Sequence, residues 1–227
     1  RVAGTRRVGH CGTLDPMATG VLPLCLGEAT KIAGFLVEGD KTYEGVVQLG
    51  VDTDTYDATG KVLARADATG LDPQRVREAV LSFRGAYWQT PPMFSAVKVG
   101  GERLYQAARR GEEVERRPRK VTVHEIELTG FDPATARASI RMRCTKGTYV
   151  RSIASELGEA LGVGGHLAAL RRTRTGSFGL AQAVSFEEAA QALRDGAPER
   201  LAGRVVSPRD ALPELPEVRV DEARAHK

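Results

Sequence analysis

The spacing of apolar residues changes period several times along the chain. Over residues 41–50, Tyr43, Val46, Val47 and Leu49 give an imperfect two-residue alternation, the pattern of a half-buried strand. Residues 121–128 and 138–144 read as two more strands. Residues 21–27 form a short apolar run, predicting a buried strand that leads into a helix over 28–37. At Asp72 the period lengthens: Asp72 suits an N-cap, Pro73 the first helical position, and Val76, Ala79, Val80 and Phe83 form an apolar stripe. A helix over 149–161 should stop at Gly162, Gly164 and Gly165. These glycines follow a helix rather than precede one, so they do not make a dinucleotide loop. Another helix should begin at Ser185, with Glu188 three residues on as a capping box. Residues 94–99 predict a strand, then a Gly100-Gly101 turn and a short basic helix from Arg103 to Gly111. The tail from Ser207, with Pro208, Pro213 and Pro216, reads as a linker. Strands able to pair as hairpins alternate irregularly with helices. That predicts an α+β (mixed α/β) fold, a central mixed, mostly antiparallel sheet flanked by helices and loops.

Composition narrows the function classes. Hydrophobic residues make up 41% and charged residues 27%, ordinary for a globular chain and far from a disordered one. The longest apolar stretches, such as 21–26, are too short to cross a bilayer, and no charged-then-apolar leader opens the chain. Cys11, Cys25 and Cys144 are odd in number and widely spaced, and the four histidines are scattered. Reduced thiols in a cytoplasm are the expectation, with neither a zinc site nor a disulfide framework. The net charge of +4 is unevenly spread: residues 98–120 hold eight Lys/Arg against four Glu, and residues 137–174 hold eight against two. Arginine dominates both segments, and its planar fork suits phosphate recognition. A solvated face and a nucleic-acid surface stand level on this alone.

Two segments offer chemistry. Asp52-Thr53-Asp54-Thr55 has the form of a phosphatase loop, but no downstream aspartate pair accompanies it, and Tyr56 and Asp57 spoil a calcium loop. A polar turn ending a strand is the better reading. The segment Gly9-His10-Cys11-Gly12-Thr13-Leu14-Asp15-Pro16-Met17-Ala18-Thr19-Gly20 is different. Its glycines permit a tight backbone approach, and Pro16 holds Asp15 extended. Asp15 can be presented there as a nucleophile or base, or it can simply start an Asx-Pro turn; spacing does not choose between these.

This segment resembles the G-H-x-G-T-L-D-P-x-A-x-G signature of bacterial tRNA pseudouridine synthases of the TruB family. The resemblance continues through Lys41-Thr42-Tyr43, Leu49-Gly50 with Thr53-Asp54-Thr55 and Asp57, and Gln89-Thr90-Pro91-Pro92-Met93-Phe94-Ser95-Ala96. It extends to Lys146-Gly147-Thr148-Tyr149-Val150-Arg151-Ser152 and Leu170-Arg171-Arg172-Thr173, in the family's order over nearly the whole chain. Cys11 stands where threonine is familiar.

The resemblance implies the pseudouridine synthase fold and conversion of the T-loop uridine, at position 55 of tRNA, without metal or cofactor. It implies that Asp15 is the catalytic nucleophile, that Tyr43 stacks on a flipped base and that Arg151 pairs with Asp15. His10, Tyr149 and Leu170 match positions that contact the flipped nucleotide. Without it, Tyr43 would read as a sheet residue, Leu170 as core and Arg151 as an ordinary ion pair. A base leaves its stack more easily when aromatic and apolar faces receive it. The implied partner is the tRNA T-arm stem-loop, with no membrane, no obligatory protein partner and a monomeric, cytoplasmic enzyme. Residues 1–208 are expected to form the catalytic domain, with the family's opening strand and Lys-Pro turn preceding Arg1. Residues 209–227 are expected to be a linker and the start of a truncated PUA-like RNA-binding domain, beginning near 215–220. The alternatives are a guide-RNA-dependent pseudouridine synthase subunit and a tRNA-folding chaperone whose main role is binding.

Overall fold

A computed structural model describes residues 5–216 and 218. In chain order it contains β1 (Val8–His10), β2 (Thr19–Gly20), β3 (Leu24–Leu26), α1 (Ala33–Glu38), β4 (Lys41–Leu49), β5 (Val51–Thr53) and β6 (Val62–Arg65). There follow α2 (Pro73–Leu81), β7 (Gly85–Gln89), β8 (Lys98–Val99), β9 (Glu102–Arg103), α3 (Leu104–Arg109), β10 (Arg119–Asp132) and β11 (Arg137–Cys144). The last elements are α4 (Val150–Leu161), β12 (Gly165–Thr175), β13 (Phe178–Gly179) and α5 (Phe186–Arg194). The helix predicted at Asp72 forms as expected: the Asp72 side chain accepts from the Gln74 N–H, and Pro73 follows it. Gly162 closes α4 at φ 79°, a conformation that glycine adopts without strain.

The central sheet runs β13-β12-β4-β11-β10-β7, all neighbours antiparallel, with β2 joining β12 in parallel. It is the mixed, mostly antiparallel sheet that the pattern predicted. Helices α2 and α4 pack on one face. Alternate residues of the strands point there: Val47 and Leu49 of β4, Ala138, Ile140 and Met142 of β11, and Leu167 and Leu170 of β12. Val76 and Val80 of α2 meet them with Ile153, Ala154 and Leu157 of α4 in one core.

Three regions differ from the prediction. Residues 21–27 yield only Leu24–Leu26 as strand, and the following helix opens with a 3-10 stretch, Gly27–Ile32, before α1. The strand over 94–99 shrinks to β8, which pairs with β9 across the glycine turn. No strand was expected at 165–175, yet β12 is eleven residues long and sits beside β4. Its Ala-Ala-Leu-Arg-Arg run favours helix by local propensity, and pairing on both edges overrides it. The expected linker at 209–227 lies partly outside the described residues. Its described portion is a turn that buries Ala211.

Candidate active site

The Asp15 loop is closed at its base by β1 and β3, which pair Val8 with Leu26 and His10 with Leu24. The Cys11 N–H then donates to the Pro23 carbonyl at 2.9 Å. Cys11 and Cys25 bring their sulfurs to 3.4 Å beneath the loop, both buried and free. Burial, reinforced by Cys25, pushes the Cys11 thiol up to about 12, so it stays protonated at neutral pH. At the tip, the Ala18 N–H donates to the Asp15 carbonyl at 2.8 Å and turns the chain just after Pro16. The chain then returns through β2 alongside β12. Gly20 sits opposite Arg172 at φ 101°, so close that a Cβ would lie 2.1 Å from the Arg172 carbonyl oxygen. Only glycine fits this approach.

Arg151 reaches the loop from the start of α4. Tyr149, the residue before the helix, is held by the buried Gln89 side chain. Its Oε1 accepts from the Tyr149 N–H at 2.8 Å, and its Nε2 donates to the Tyr149 carbonyl at 3.1 Å. This fixes the helix entry two residues before Arg151. The Arg151 Nη2 donates to Asp15 Oδ1 at 2.7 Å and to the Phe94 carbonyl at 3.0 Å, and Nη1 donates to the Thr55 carbonyl at 2.9 Å. The Arg151 side chain is 5% exposed against 25% for Asp15, so the carboxylate remains open to solvent while its partner is enclosed. An enclosed, charge-assisted pair of this geometry fixes the carboxylate direction far better than a surface pair would.

The polar turn after β5 proves to be part of this arrangement. Besides the Thr55 carbonyl it brings Asp57, 3% exposed, whose Oδ2 lies 3.7 Å from Arg151 Nε. Asp57 Oδ1 is held by the Thr55 and Thr59 hydroxyls and the Thr59 N–H. Within β5, Asp52 Oδ1 accepts from the Gly165 N–H at 2.8 Å, tying the strand that leads into this turn to the start of β12. Sequence reasoning placed Asp57 only within a motif and gave it no role. The signal for it was a buried carboxylate in a turn, which spacing does not reveal.

Tyr43 of β4 lies between Met142 of β11 and Arg172 of β12, its cross-strand partners. Burial pushes its phenol up to about 12; Asp15 adds to the rise, and Arg172 opposes it by charge and hydrogen bonding. At neutral pH Tyr43 therefore presents an intact hydroxyl. Lys41, two residues earlier, is buried and donates to the Val37 and Gly39 carbonyls. Burial pushes its ammonium down, and the nearby Arg172 adds to that. Burial also raises the Tyr149 phenol, while Arg151 lowers it and Asp15 raises it, which places the ring in the field of the pair.

Asp15, Arg151, Tyr43 and Tyr149 thus converge. His10 and Leu170 are placed by other contacts. His10 ends β1 exposed at the rim of the loop. Leu170 is 6% exposed within the core, opposite Gly45, and lines an open cleft with Met17 and Thr19 from the descending arm of the loop. The two basic segments are partly neutralised. Arg110 is shared between Glu102 and Glu112, Arg143 between Asp40 and Glu125, and Lys146 meets Glu38. Arg116 donates to the Pro91 carbonyl at 3.3 Å. No group of three or more His, Cys, Asp or Glu suited to a metal occurs among the described residues, and none of their helices is long and apolar enough to cross a membrane.

Comparison with known proteins gives two adjoining family matches. Residues 1–150 match the family described as TruB family pseudouridylate synthase (N terminal domain), and residues 151–212 match the tRNA pseudouridylate synthase B C-terminal domain. The join falls at the start of α4, between strands of one sheet. A protein of Symbiobacterium thermophilum named tRNA pseudouridine synthase B is 47% identical over 97% of this chain and 71% of its own length. One of Pseudomonas aeruginosa with the same name is 48% identical over 86% of this chain and 63% of its own. Among solved structures, a Cbf5-Nop10-Gar1 complex contains a chain that superposes with a TM-score of 0.71 at 27% identity. That match covers 95% of this chain but 56% of the other, so this chain spans about half of that neighbour's length. With both segments matched and near-half identity across almost all of its residues, the chain belongs to the TruB family of pseudouridylate synthases.

Proposed function

We propose that this chain isomerises the T-loop uridine of tRNA, at position 55, to pseudouridine, with Asp15 as the nucleophile. The observation that carries the reading is the pairing of a partly open carboxylate with an enclosed guanidinium at 2.7 Å, beside a protonated tyrosine. Asp15 attacks the target nucleoside and the glycosidic C–N bond breaks. The base turns and rejoins through C5 as the bond to Asp15 breaks and frees the carboxylate; the C5 proton is lost and N1 gains one, so mass is unchanged. Arg151 aims the carboxylate and offers it an opposite charge throughout. Tyr43 gives the extruded uracil a ring to stack on, and Tyr149 borders the same opening. His10 at the rim and Leu170 in the neighbouring cleft are placed to meet the nucleotide's flanks rather than its reacting atoms.

The relatives' names favour a stand-alone tRNA enzyme over a guide-RNA-dependent subunit, because they share 44–50% identity with this chain against 27% for the chain from the Cbf5 complex. We infer that the protein works as a cytoplasmic monomer on the T-arm stem-loop without a protein partner. Residues 1–208 are then the catalytic unit, and residues 209–227 the linker and the start of a PUA-like RNA-binding segment. Purified full-length protein should convert unmodified tRNA unaided, read by a pseudouridine-specific chemical probe. Asp15→Asn keeps the shape and removes the charge, so product should vanish while RNA binding persists. Substantial turnover by an Asp15→Asn sample verified free of deamidation would falsify the assignment. Conversion only when a guide RNA is added would favour the subunit reading.

A further inference from the structure

Arg172 is the largest of the fully buried side chains, 1% exposed, and no carboxylate pairs with it in the ion pairs of the described residues. A guanidinium withdrawn from water without an anion is costly unless its donors are directed at strong acceptors. Here they are directed at the nucleophile's loop. Nε donates to the Val21 carbonyl at 2.8 Å, Nη2 to Gly12 at 3.0 Å and, more weakly, Nη1 to Thr13 at 3.4 Å. These acceptors lie on both arms of the loop, before and after Asp15. The Arg172 backbone holds it as well: its carbonyl accepts from the Val21 N–H at 2.8 Å, and Gly20 packs directly against it. Across the sheet, Tyr43 is its register partner, and the guanidinium charge acts on the Tyr43 phenol. A register shift immediately after Arg172 lets Thr173 bulge and keeps the arginine on the core face.

We propose that Arg172 is a positioning residue for the reaction: one buried guanidinium on β12 sets the distance between the Asp15 loop and the Tyr43 ring. Arg151 grips the Asp15 carboxylate from α4, while Arg172 grips the loop's backbone from the sheet, so the carboxylate is fixed from two sides by two different elements. Arginine is required because a lysine has one nitrogen and cannot span the carbonyls of both arms together. This inference rests on the reading of Asp15 as the nucleophile and Tyr43 as the stacking ring.

The test uses the full-length protein and an unmodified T-arm stem-loop. Single-turnover rate, RNA Kd and Tm are measured for wild type, Arg172→Met, Arg172→Lys and Asp15→Asn. Arg172→Met keeps an apolar stem and loses the donors. It should bind RNA within about threefold of wild type yet turn over about a hundredfold more slowly, the scale of a misplacement near 1 Å. Arg172→Lys should recover part of that rate at the same affinity. If the methionine variant does not fold, the lysine variant carries the comparison. Wild-type turnover by a folded Arg172→Lys overturns the proposal, as does a rate that falls only in step with affinity or folded fraction. Failure of both variants to fold also overturns it, since Arg172 would then serve the fold alone. Turnover by Asp15→Asn would sink the nucleophile assignment instead, so the two failures are distinguishable.

Discussion

Tyr43 carries a ring and a hydroxyl in different surroundings. The ring packs on the core beside Met142, and the hydroxyl lies near Arg172 and Asp15. Tyr43→Phe should leave RNA Kd and Tm close to wild type, and any fall in turnover then belongs to the hydroxyl. Tyr43→Ala should weaken RNA binding and also lower stability by about 3 kcal/mol, as emptying an aromatic site does. The position reads from sequence alone as a sheet residue, and its packing gives the ring that structural duty as well. Tenfold weaker binding by Tyr43→Phe at unchanged Tm would show that stacking is not what the residue supplies. A second residue gives a pH signature away from this opening. Burial pushes the Glu156 carboxyl up to about 7 on α4, beside the Tyr87 hydroxyl and with Glu159 repelling its charge. An acid whose folded pKa is raised is stabilised in its protonated form, so stability falls as pH rises from about 4.5 to 7. Glu156→Gln should therefore melt higher than wild type at pH 8, with the gap closing near pH 5. Equal melting temperatures at pH 8 would remove the case for a buried carboxyl.

At the scale of elements, α4 is aimed by what precedes it. Gln89→Leu would strip the Tyr149 N–H and carbonyl of their side-chain partner and leave a part-buried N–H unpaired, costing about 1–3 kcal/mol. Because Arg151 follows two residues later, turnover should fall more than RNA affinity. A Gln89→Leu protein that loses stability but keeps its rate per folded molecule would make Gln89 a structural residue only. The excursion formed by β8, β9 and α3 gives the electrostatic test. Arg110 is compensated by two glutamates, whereas Arg109 lies over the Tyr105 ring and Arg117 is exposed. If this excursion lies along the RNA path, Arg109→Gln and Arg117→Gln should each flatten the log–log salt dependence of binding by roughly 0.7–0.9. Arg110→Gln should change it little, and an unchanged slope in all three would mark a solvated face. Elements set by local signals were legible in sequence: the Asp72 cap, the Gly162 stop and the alternation of β4 depend on neighbours within a few residues. Strand β12 was not legible, because Arg172 reads as surface charge, like its exposed neighbours Arg171 and Arg174, until β4 and β2 enclose it. The Asp15 loop was legible as a motif, while the residues that fasten it, Arg172, Asp57 and Gln89, were visible only as members of motifs. Burial assigns their roles, and burial is a property of the assembled sheet.

The whole molecule joins two family segments in one sheet, and that has a consequence for how it folds. The N-terminal segment supplies β2, β4, β7, β10 and β11, and the C-terminal segment supplies α4, β12 and β13. Cutting between residues 150 and 151 would bare one long edge of β4 and uncover the core face that Ile153, Ala154 and Leu157 protect. It would also remove Arg151 and Arg172, leaving the Asp15 loop without either of its charged anchors. A piece comprising residues 1–150 should therefore lack a cooperative thermal transition and show poor amide dispersion by NMR, because a domain needs its own closed core. Mixed with residues 151–212, it should recover both if the pieces find each other. A sharp melting transition in the 1–150 piece alone would show that the segments are independent domains and that β12 is an addition to a fold already complete without it. Failure to melt cooperatively until the second piece is added would place Asp15, Tyr43 and both arginines in a single folding unit. In that unit the Asp15 loop would be ordered only when the last long strand is laid down beside it.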